Sequence, residues 1–286
     1  MHSSEPLRAR LKKFWRSIIS VRTQTYVVTT HENADVDAVA SVMMFKKMLK
    51  ISKRESTVHV VLASISGQTR KILGELGIAV TPETVNVLGD YVLVLLDMSD
   101  PSRFVSDKLK KITAGAESIF AIDHHTVGDV VGVKILYMPY SSTTEILLWI
   151  AEQYDIIDKI LADTKLAMLA TMAIITDTAF FSTISEKTFH FMNYLARRID
   201  YRKTISILRA EKTREVPEKM AVLKALQRTM IRKLNDIIIV VTHVGSYESL
   251  VANTIIQLGA DIVFVISRKK EKGKSYYRII VRSKKI

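Results

Sequence analysis

Cysteine is absent from this 286-residue chain. That excludes disulfides, thiolate metal sites and a cysteine nucleophile, and it suits an intracellular protein. Proline (5) and glycine (10) are scarce, and no Gly/Pro/Ser-rich linker marks a domain boundary. Long hydrophobic runs are also missing. The longest apolar-rich stretch, Leu166–Ile175, is far shorter than the roughly 20 residues needed to span a bilayer. The basic N-terminal segment LRARLKKFWRSIISVR has neither a long apolar core nor a small-residue cleavage site, so it does not read as a signal peptide. It reads as an amphipathic helix, with Leu7, Leu11, Phe14, Trp15 and Ile18 on one side, docked on its own domain. The expected setting is cytoplasmic, with no membrane partner. Acidic charge is in deficit: 42 Lys and Arg face 29 Asp and Glu, a net charge of +13. A surplus of this size favours polyanionic partners such as nucleic acid or nucleotides.

What is present is a regular alternation. Strand-like runs fall at Tyr26–Thr30, Val58–Ala63, Tyr91–Asp97, Ile119–Asp123 and Lys134–Tyr137. Helical spacing falls between most of them, at Asp37–Leu49, Thr69–Leu76 and Ser102–Ile112. Strands as continuously apolar as YVLVLLD point to a parallel sheet covered on both faces. From Ser141 onward the pattern is helical: Thr144–Gln153, Thr164–Ala173, Lys187–Ile199, Arg202–Arg209 and Pro217–Lys233. The charged stretch Arg209–Lys219 is the best bridge between domains. Beyond it come a strand (Asp236–Thr242), a helix (Ser249–Leu258) and two strands (Asp261–Ser267, Tyr276–Val281) around a charged turn, RKKEKGK. The expected fold class is α/β, with an N-terminal doubly wound parallel sheet domain and a smaller C-terminal α/β domain.

Four acidic clusters stand at or near strand or helix ends. They are His31, Asp35 and Asp37 in HENADVD; Asp97 closing YVLVLLD; Asp123-His124-His125 closing IFAID; and Asp177 in the apolar ATMAIITD. A lone Asp after a strand is usually a helix cap or turn former. Here three clusters end strands of one inferred parallel sheet, and the carboxyl edge of such a sheet is where open α/β folds bind ligands. Carboxylates and imidazoles gathered there repel and are desolvated unless a cation sits among them. A donor set without sulfur suits Mn²⁺, Fe²⁺ or Zn²⁺. The donors exceed the needs of one ion, whereas two ions sharing a carboxylate would use them all.

These residues, in this order, resemble the DHH family of phosphoesterases. HENADVDAVAS is similar to the family's His-x-Asn-Pro-Asp-Gly-Asp-Ala-x-Gly-Ser. Asp97 in LLDMSDPSRF matches the lone Asp of the second motif, and AIDHHTVGD with the YSSTTEILLWI helix matches the third. AIITDTAFF resembles Gly-Ile-x-Thr-Asp-Thr-Gly-x-Phe. The resemblance covers residues 20–200. It implies two divalent metal ions, most simply Mn²⁺. His31, Asp35 and Asp97 would hold the first, and Asp37, Asp97, His124 and Asp177 the second, with Asp97 bridging. Asp123 would orient a histidine, and His125 would act at the scissile phosphate. Arg103, Ser141, Ser142 and Thr143 are phosphate-side candidates. The implied domains are a catalytic domain over 1–205, a helical linker over 206–232 and a substrate-binding domain over 233–286, in which Arg278 and Arg282 face substrate. The family's Gly-Gly-Gly-His segment is missing from that last domain, which is expected to be either naturally short or truncated.

Ala34 and Val36 replace Pro and Gly of the first motif, and Ala173 and Ala179 replace glycines of the fourth; all four read as packing changes. Asp-Val-Asp-Ala-x-x-Ser is closer to the short-oligonucleotide and cyclic-dinucleotide hydrolases than to RecJ-like nucleases. The resemblance therefore implies an Mn²⁺-dependent phosphodiesterase or exonuclease acting on short or single-stranded RNA or DNA. The alternatives are a cyclic-dinucleotide or phosphoadenosine-phosphate hydrolase, and a non-catalytic replisome-associated binding protein. Family members often form homodimers, although no interface is marked in the sequence. Residues 268–286 hold nine Lys or Arg and one Glu around Tyr276 and Tyr277, a composition that can track phosphates and stack bases.

Overall fold

The computed structural model describes residues 7–80, 89–126, 128–210, 216–271 and 274–284. The chain divides into two compact units, 1–211 and 212–286. In chain order, the first unit runs α1 (Leu7–Ile19), β1 (Thr25–Thr30), α2 (Val36–Ser52), β2 (Thr57–Val60), α3 (Gly67–Leu76), β3 (Val92–Leu96), α4 (Asp107–Ala114), β4 (Ser118–Asp123) and β5 (Val133–Tyr137). Five helices follow: α5 (Thr143–Gln153), α6 (Ile157–Leu161), α7 (Thr164–Asp177), α8 (Thr188–Ala196) and α9 (Tyr201–Ala210).

Strands β1 to β5 form one fully parallel sheet in the order β2-β1-β3-β4-β5. The apolar runs are continuous because both faces are covered. Val28, Val94, Leu96, Phe120 and Ile122 face a large core shared with α1, α2, α5 and α7. Val27, Leu93, Leu95 and Ala121 face a smaller core closed by Leu109 and Ile112 of α4. The first helix docks as its spacing predicts: Leu11, Trp15 and Ile18 are fully buried, and Trp15 packs edge-on to Phe45 and Tyr154. Strand order reverses between β1 and β3, which places the ligand-binding crevice of an open α/β sheet beyond their carboxyl ends.

The second unit holds α10 (Val216–Gln227), β6 (Met230–Leu234), β7 (Ile237–His243), α11 (Glu248–Gln257), β8 (Ile262–Glu271) and β9 (Lys274–Ser283). Its sheet is mixed, in the order β6-β7-β8-β9, with β7 and β8 parallel and both outer strands antiparallel. Val222, Ala225, Val251, Ile255, Val263 and Val265 form its core.

Three expectations need correcting. The helix predicted over Pro217–Lys233 ends at Gln227, and Met230–Leu234 is a strand paired with β7. Helix spacing continued into MIRKL, but Asn235 turns the chain at φ +52° and the strand returns as a hairpin. The stretch assigned to a linker, 206–232, is divided between the units, because α10 contributes Val222 and Ala225 to the second core. Ser102–Ile112 is not one helix: a 3-10 turn at Pro101–Arg103 precedes α4. The middle of the bridge Arg209–Lys219 (211–215) and of the charged turn (272–273) lies outside the described residues.

Candidate metal centre

Each acidic cluster reaches the same crevice from a different element. His31 and Asp35 follow β1, Asp97 follows β3, Asp123 ends β4 with His124 and His125 after it, and Asp177 closes α7. Asp37, in the first turn of α2, completes the set from beneath. The loop after β1 is held by Ala34, whose amide donates to the Ser64 carbonyl at 3.0 Å and whose carbonyl accepts from the Ser66 amide at 2.9 Å. Proline at position 34 could not make the first of these bonds.

Asp97 sits at the centre, 3 % exposed. Its Oδ2 lies 3.4 Å from His31 Nε2 and its Oδ1 lies 3.3 Å from His124 Nε2, so each oxygen faces a different imidazole. Thr143 Oγ1 donates to Oδ1 at 3.0 Å. The Asp97 backbone takes φ +58°, in the left-handed region that L-residues avoid. Donor atoms of His31, Asp35 and Asp97 all lie within 4.8 Å of one another, as do those of Asp37, His124 and Asp177. Each of these triplets could hold one cation.

The carboxylates are anchored individually. Asp35 Oδ1 caps α2 by accepting the Ala38 amide at 3.0 Å. Both oxygens of the fully buried Asp37 accept amides from the first turn of α5, Thr143 at 2.8 Å and Thr144 at 3.0 Å. The positive end of that helix dipole favours the negative charge. Asp123 accepts from Ser99 Oγ at 2.8 Å, from the His125 amide at 3.0 Å, and contacts His125 Nδ1 at 2.9 Å. The histidine that Asp123 orients is therefore His125, whose side chain is 59 % exposed toward the cavity.

The charge balance of the site calls for a cation. His124 Nδ1 lies 3.2 Å from the Tyr140 carbonyl, which only accepts, so Nδ1 carries a proton and Nε2 is the nitrogen that presents a lone pair once a cation displaces its own proton. Nε2 is buried and has no aligned hydrogen-bond partner, although oxygens of Asp97 and Asp177 approach it within 3.3 and 3.6 Å. Three acceptors facing one another fit a metal ion. The protonation balance says the same. Burial, then the charge of Asp97, pushes the Asp37 carboxyl up to about 7. Burial with the charges of Asp37 and Asp97 pushes Asp177 up to about 10. The Asp97 contact, outweighing burial, holds His31 near 9. For His124, burial is the largest influence and lowers the pKa, but Asp97 and Asp37 together outweigh it and hold it near 9. Burial alone would raise Asp97, but His124 and His31 hold it at about 2. Without a cation, protons supply the positive charge that these groups require.

These side chains, apart from the fully buried Asp37, line an open cavity of about 860 Å³ that also includes Glu32, Met98, Arg103, Phe104 and Thr126. Of the phosphate-side candidates, Arg103 lines the cavity. Ser142 does not: it is fully buried as the N-cap of α5, with its Oγ accepting the Glu145 amide at 3.2 Å. Ser141 donates its amide to Glu145, and Thr143 supports Asp97 and Asp37, so this run builds the helix start instead of facing substrate. Arg278 and Arg282 lie on β9 of the second unit, among its exposed residues. Ser99 and Glu32 escaped the sequence reading, because a lone Ser or Glu in a loop carries no pattern.

The profile of the DHH family N-terminal domain matches residues 25–174. This chain belongs to the DHH family. An uncharacterised protein of Methanocaldococcus jannaschii is 32 % identical over 247 residues, covering 85 % of this chain and 72 % of the relative. The crystal structure of an exopolyphosphatase-related protein from Bacteroides fragilis shares the fold over 99 % of this chain and 86 % of its own, with a TM-score of 0.66 and 15 % identity. As a DHH protein the chain is a phosphoester hydrolase of a divalent-metal-dependent family, and its Asp and His clusters could hold such ions.

Proposed function

We propose that this DHH protein hydrolyses phosphodiester bonds in short or single-stranded nucleic acid, using two Mn²⁺ ions. The observation that carries this reading is Asp97, which offers one oxygen to the His31 side and the other to the His124 side. His31, Asp35 and Asp97 would hold one ion; Asp37, Asp97, His124 and Asp177 would hold the other. The bound ions would supply a nucleophile at neutral pH and neutralise charge on the phosphoryl oxygens.

The chain's own residues supply the rest. Asp123 holds the His125 ring by Nδ1 and leaves Nε2 directed to the cavity. The Asp123 contact, outweighing burial, raises the His125 pKa, which keeps a proton available for the leaving oxygen. Arg103 at the cavity mouth would take a second phosphate. The polyanionic substrate class is supported by charge placement: the second unit holds sixteen Lys or Arg against six Asp or Glu, a net +10 of the chain's +13.

The test is hydrolysis of a labelled short RNA and the matching single-stranded DNA with Mn²⁺, Mg²⁺ or chelator. A cyclic dinucleotide, phosphoadenosine phosphate and polyphosphate serve as competing substrates, the last because the Bacteroides protein is described as exopolyphosphatase-related. Mn²⁺-dependent release of mononucleotides is the expected result. Turnover of polyphosphate alone would replace the reading with phosphoanhydride hydrolysis. Asp97→Asn is expected to abolish turnover and to weaken Mn²⁺ binding at least about 100-fold by calorimetry; retained turnover would remove the two-ion assignment.

A further inference from the structure

Glu32 lies between His31 and Asn33, whose backbone takes φ +59°, and its side chain lines the metal cavity. Its Oε1 accepts two backbone amides from far along the chain, Val105 at 3.0 Å and Ser106 at 2.6 Å. Ser106 is the N-cap of α4, and its own side chain makes no capping bond. In a capping box, the N-cap amide is satisfied by a side chain from the helix's own first turn. Here the loop that carries His31 supplies the acceptor. The carboxylate also sits at the positive end of α4, where negative charge is favoured.

The segment so held carries Arg103. Asp100 Oδ1 accepts the Ser102 amide at 2.9 Å on one side of it. On the other side, Phe104 is buried in the smaller core and Val105 and Ser106 are bound to Glu32. Arg103 itself is exposed; the held backbone on either side fixes where its side chain starts, and the neighbouring Asp100 carboxylate attracts its guanidinium.

We propose that Glu32 is a positioning residue, a clasp between the His31 loop and the start of α4 that holds Arg103 over the metal cavity to receive a substrate phosphate. The proposal rests on the phosphodiesterase reading for the role of Arg103, but not for the clasp itself. Glu32 acts on binding of the phosphate chain and leaves the chemistry at the metal centre unchanged.

The test uses the full chain with Glu32→Ala, Glu32→Gln, Arg103→Ala and the Glu32→Ala/Arg103→Ala pair. Amide hydrogen exchange at Val105 and Ser106 reads the clasp directly. Glu32→Ala is expected to speed it at least about tenfold, whereas Glu32→Gln, which keeps an Oε1 acceptor, restores protection. With Mn²⁺ and diadenylate, Glu32→Ala is expected to raise KM on the order of tenfold, the scale of one lost charge-assisted contact, with kcat within about threefold. Arg103→Ala should raise KM similarly, and the paired variant should add little to it. Mn²⁺ affinity by calorimetry should be the same in all. Unchanged exchange in Glu32→Ala overturns the clasp. Weakened Mn²⁺ binding in Glu32→Gln overturns it in favour of a ligand role. Fully additive KM effects, or an unchanged KM in Arg103→Ala, overturn the link to Arg103. Wild-type protein that leaves diadenylate intact overturns the phosphodiesterase reading instead, while exchange still decides the clasp.

Discussion

Asp97 and its neighbours make the metal-free protein sensitive to alkali. His31 and His124 are held near 9, above their unfolded value of about 6.5. Their contribution to stability is complete below pH 6.5 and is lost as pH rises through 9. Asp177, raised to about 10 by burial and by Asp37 and Asp97, acts in the same direction, because the folded state binds a proton that the unfolded state releases near 4. The melting temperature of chelator-treated protein is therefore expected to fall between pH 6.5 and 9.5. Mn²⁺ should remove most of that slope by replacing the protons, which differential scanning at several pH values would show. A flat profile without metal would contradict this charge balance. A second residue-scale effect concerns the strained turn after Asp177. Ala179, Phe180 and Phe181 take φ values of +46°, +57° and +65°. The replacement of the family's glycine by Ala179 therefore strains the backbone and is more than the packing change its sequence context suggests. The left-handed conformation costs an L-residue about 1–2 kcal/mol, against roughly 0.5–1 kcal/mol for the extra chain entropy of glycine. Ala179→Gly should stabilise by about 1 kcal/mol in urea unfolding, the reverse of the usual sign for that substitution.

Among elements, α5 links fold and site most tightly. Its first turn donates two amides to Asp37, and Thr143 reaches Asp97. Its N-cap, Ser142, reads in sequence as a phosphate ligand because a Ser-Ser-Thr run beside an Asp-His-His motif allows either role. Only the burial of Ser142 separates them. Ser142→Ala is expected to cost about 1 kcal/mol of stability, the usual value of an N-cap, with KM unchanged within twofold; a KM rise without loss of stability would restore the phosphate role. The parallel strands were legible because continuous apolar runs of strand length bounded by acidic residues have few other readings. β6 was not, because MIRKL alternates weakly, and its pairing with β7 is decided by the turn at Asn235.

Over the whole molecule, charge is distributed unevenly. The first unit carries +3 and the second +10, within 75 residues of 286. Arg278 and Arg282 lie on the strand at the edge of the second sheet, with lysines at 269, 270 and 284 nearby in the chain. If they contact phosphates, replacing both by Ala should weaken single-stranded RNA binding without regard to sequence. It should also reduce the slope of log affinity against log salt by roughly 1.4, about 0.7 for each lost single-strand contact. Fluorescence anisotropy across a salt series measures it, and an unchanged slope would remove both residues from the substrate path.

Sequence by itself determined the family, the class of chemistry and the donor types. Those rest on residue identity in a fixed order: His31 to Asp37, Asp97, Asp123 to His125, and Asp177. The meeting of the first three groups in one crevice followed from the parallel sheet, because strands running the same way bring their acidic ends to one edge; Asp177 joins them from the end of α7. Which side chains face the cavity was decided by tertiary structure alone. Glu32 reaches Ser106 across 74 positions and Thr143 reaches Asp97 across 46. Such contacts depend on how helices and loops pack around the sheet, and no local pattern of residues records them.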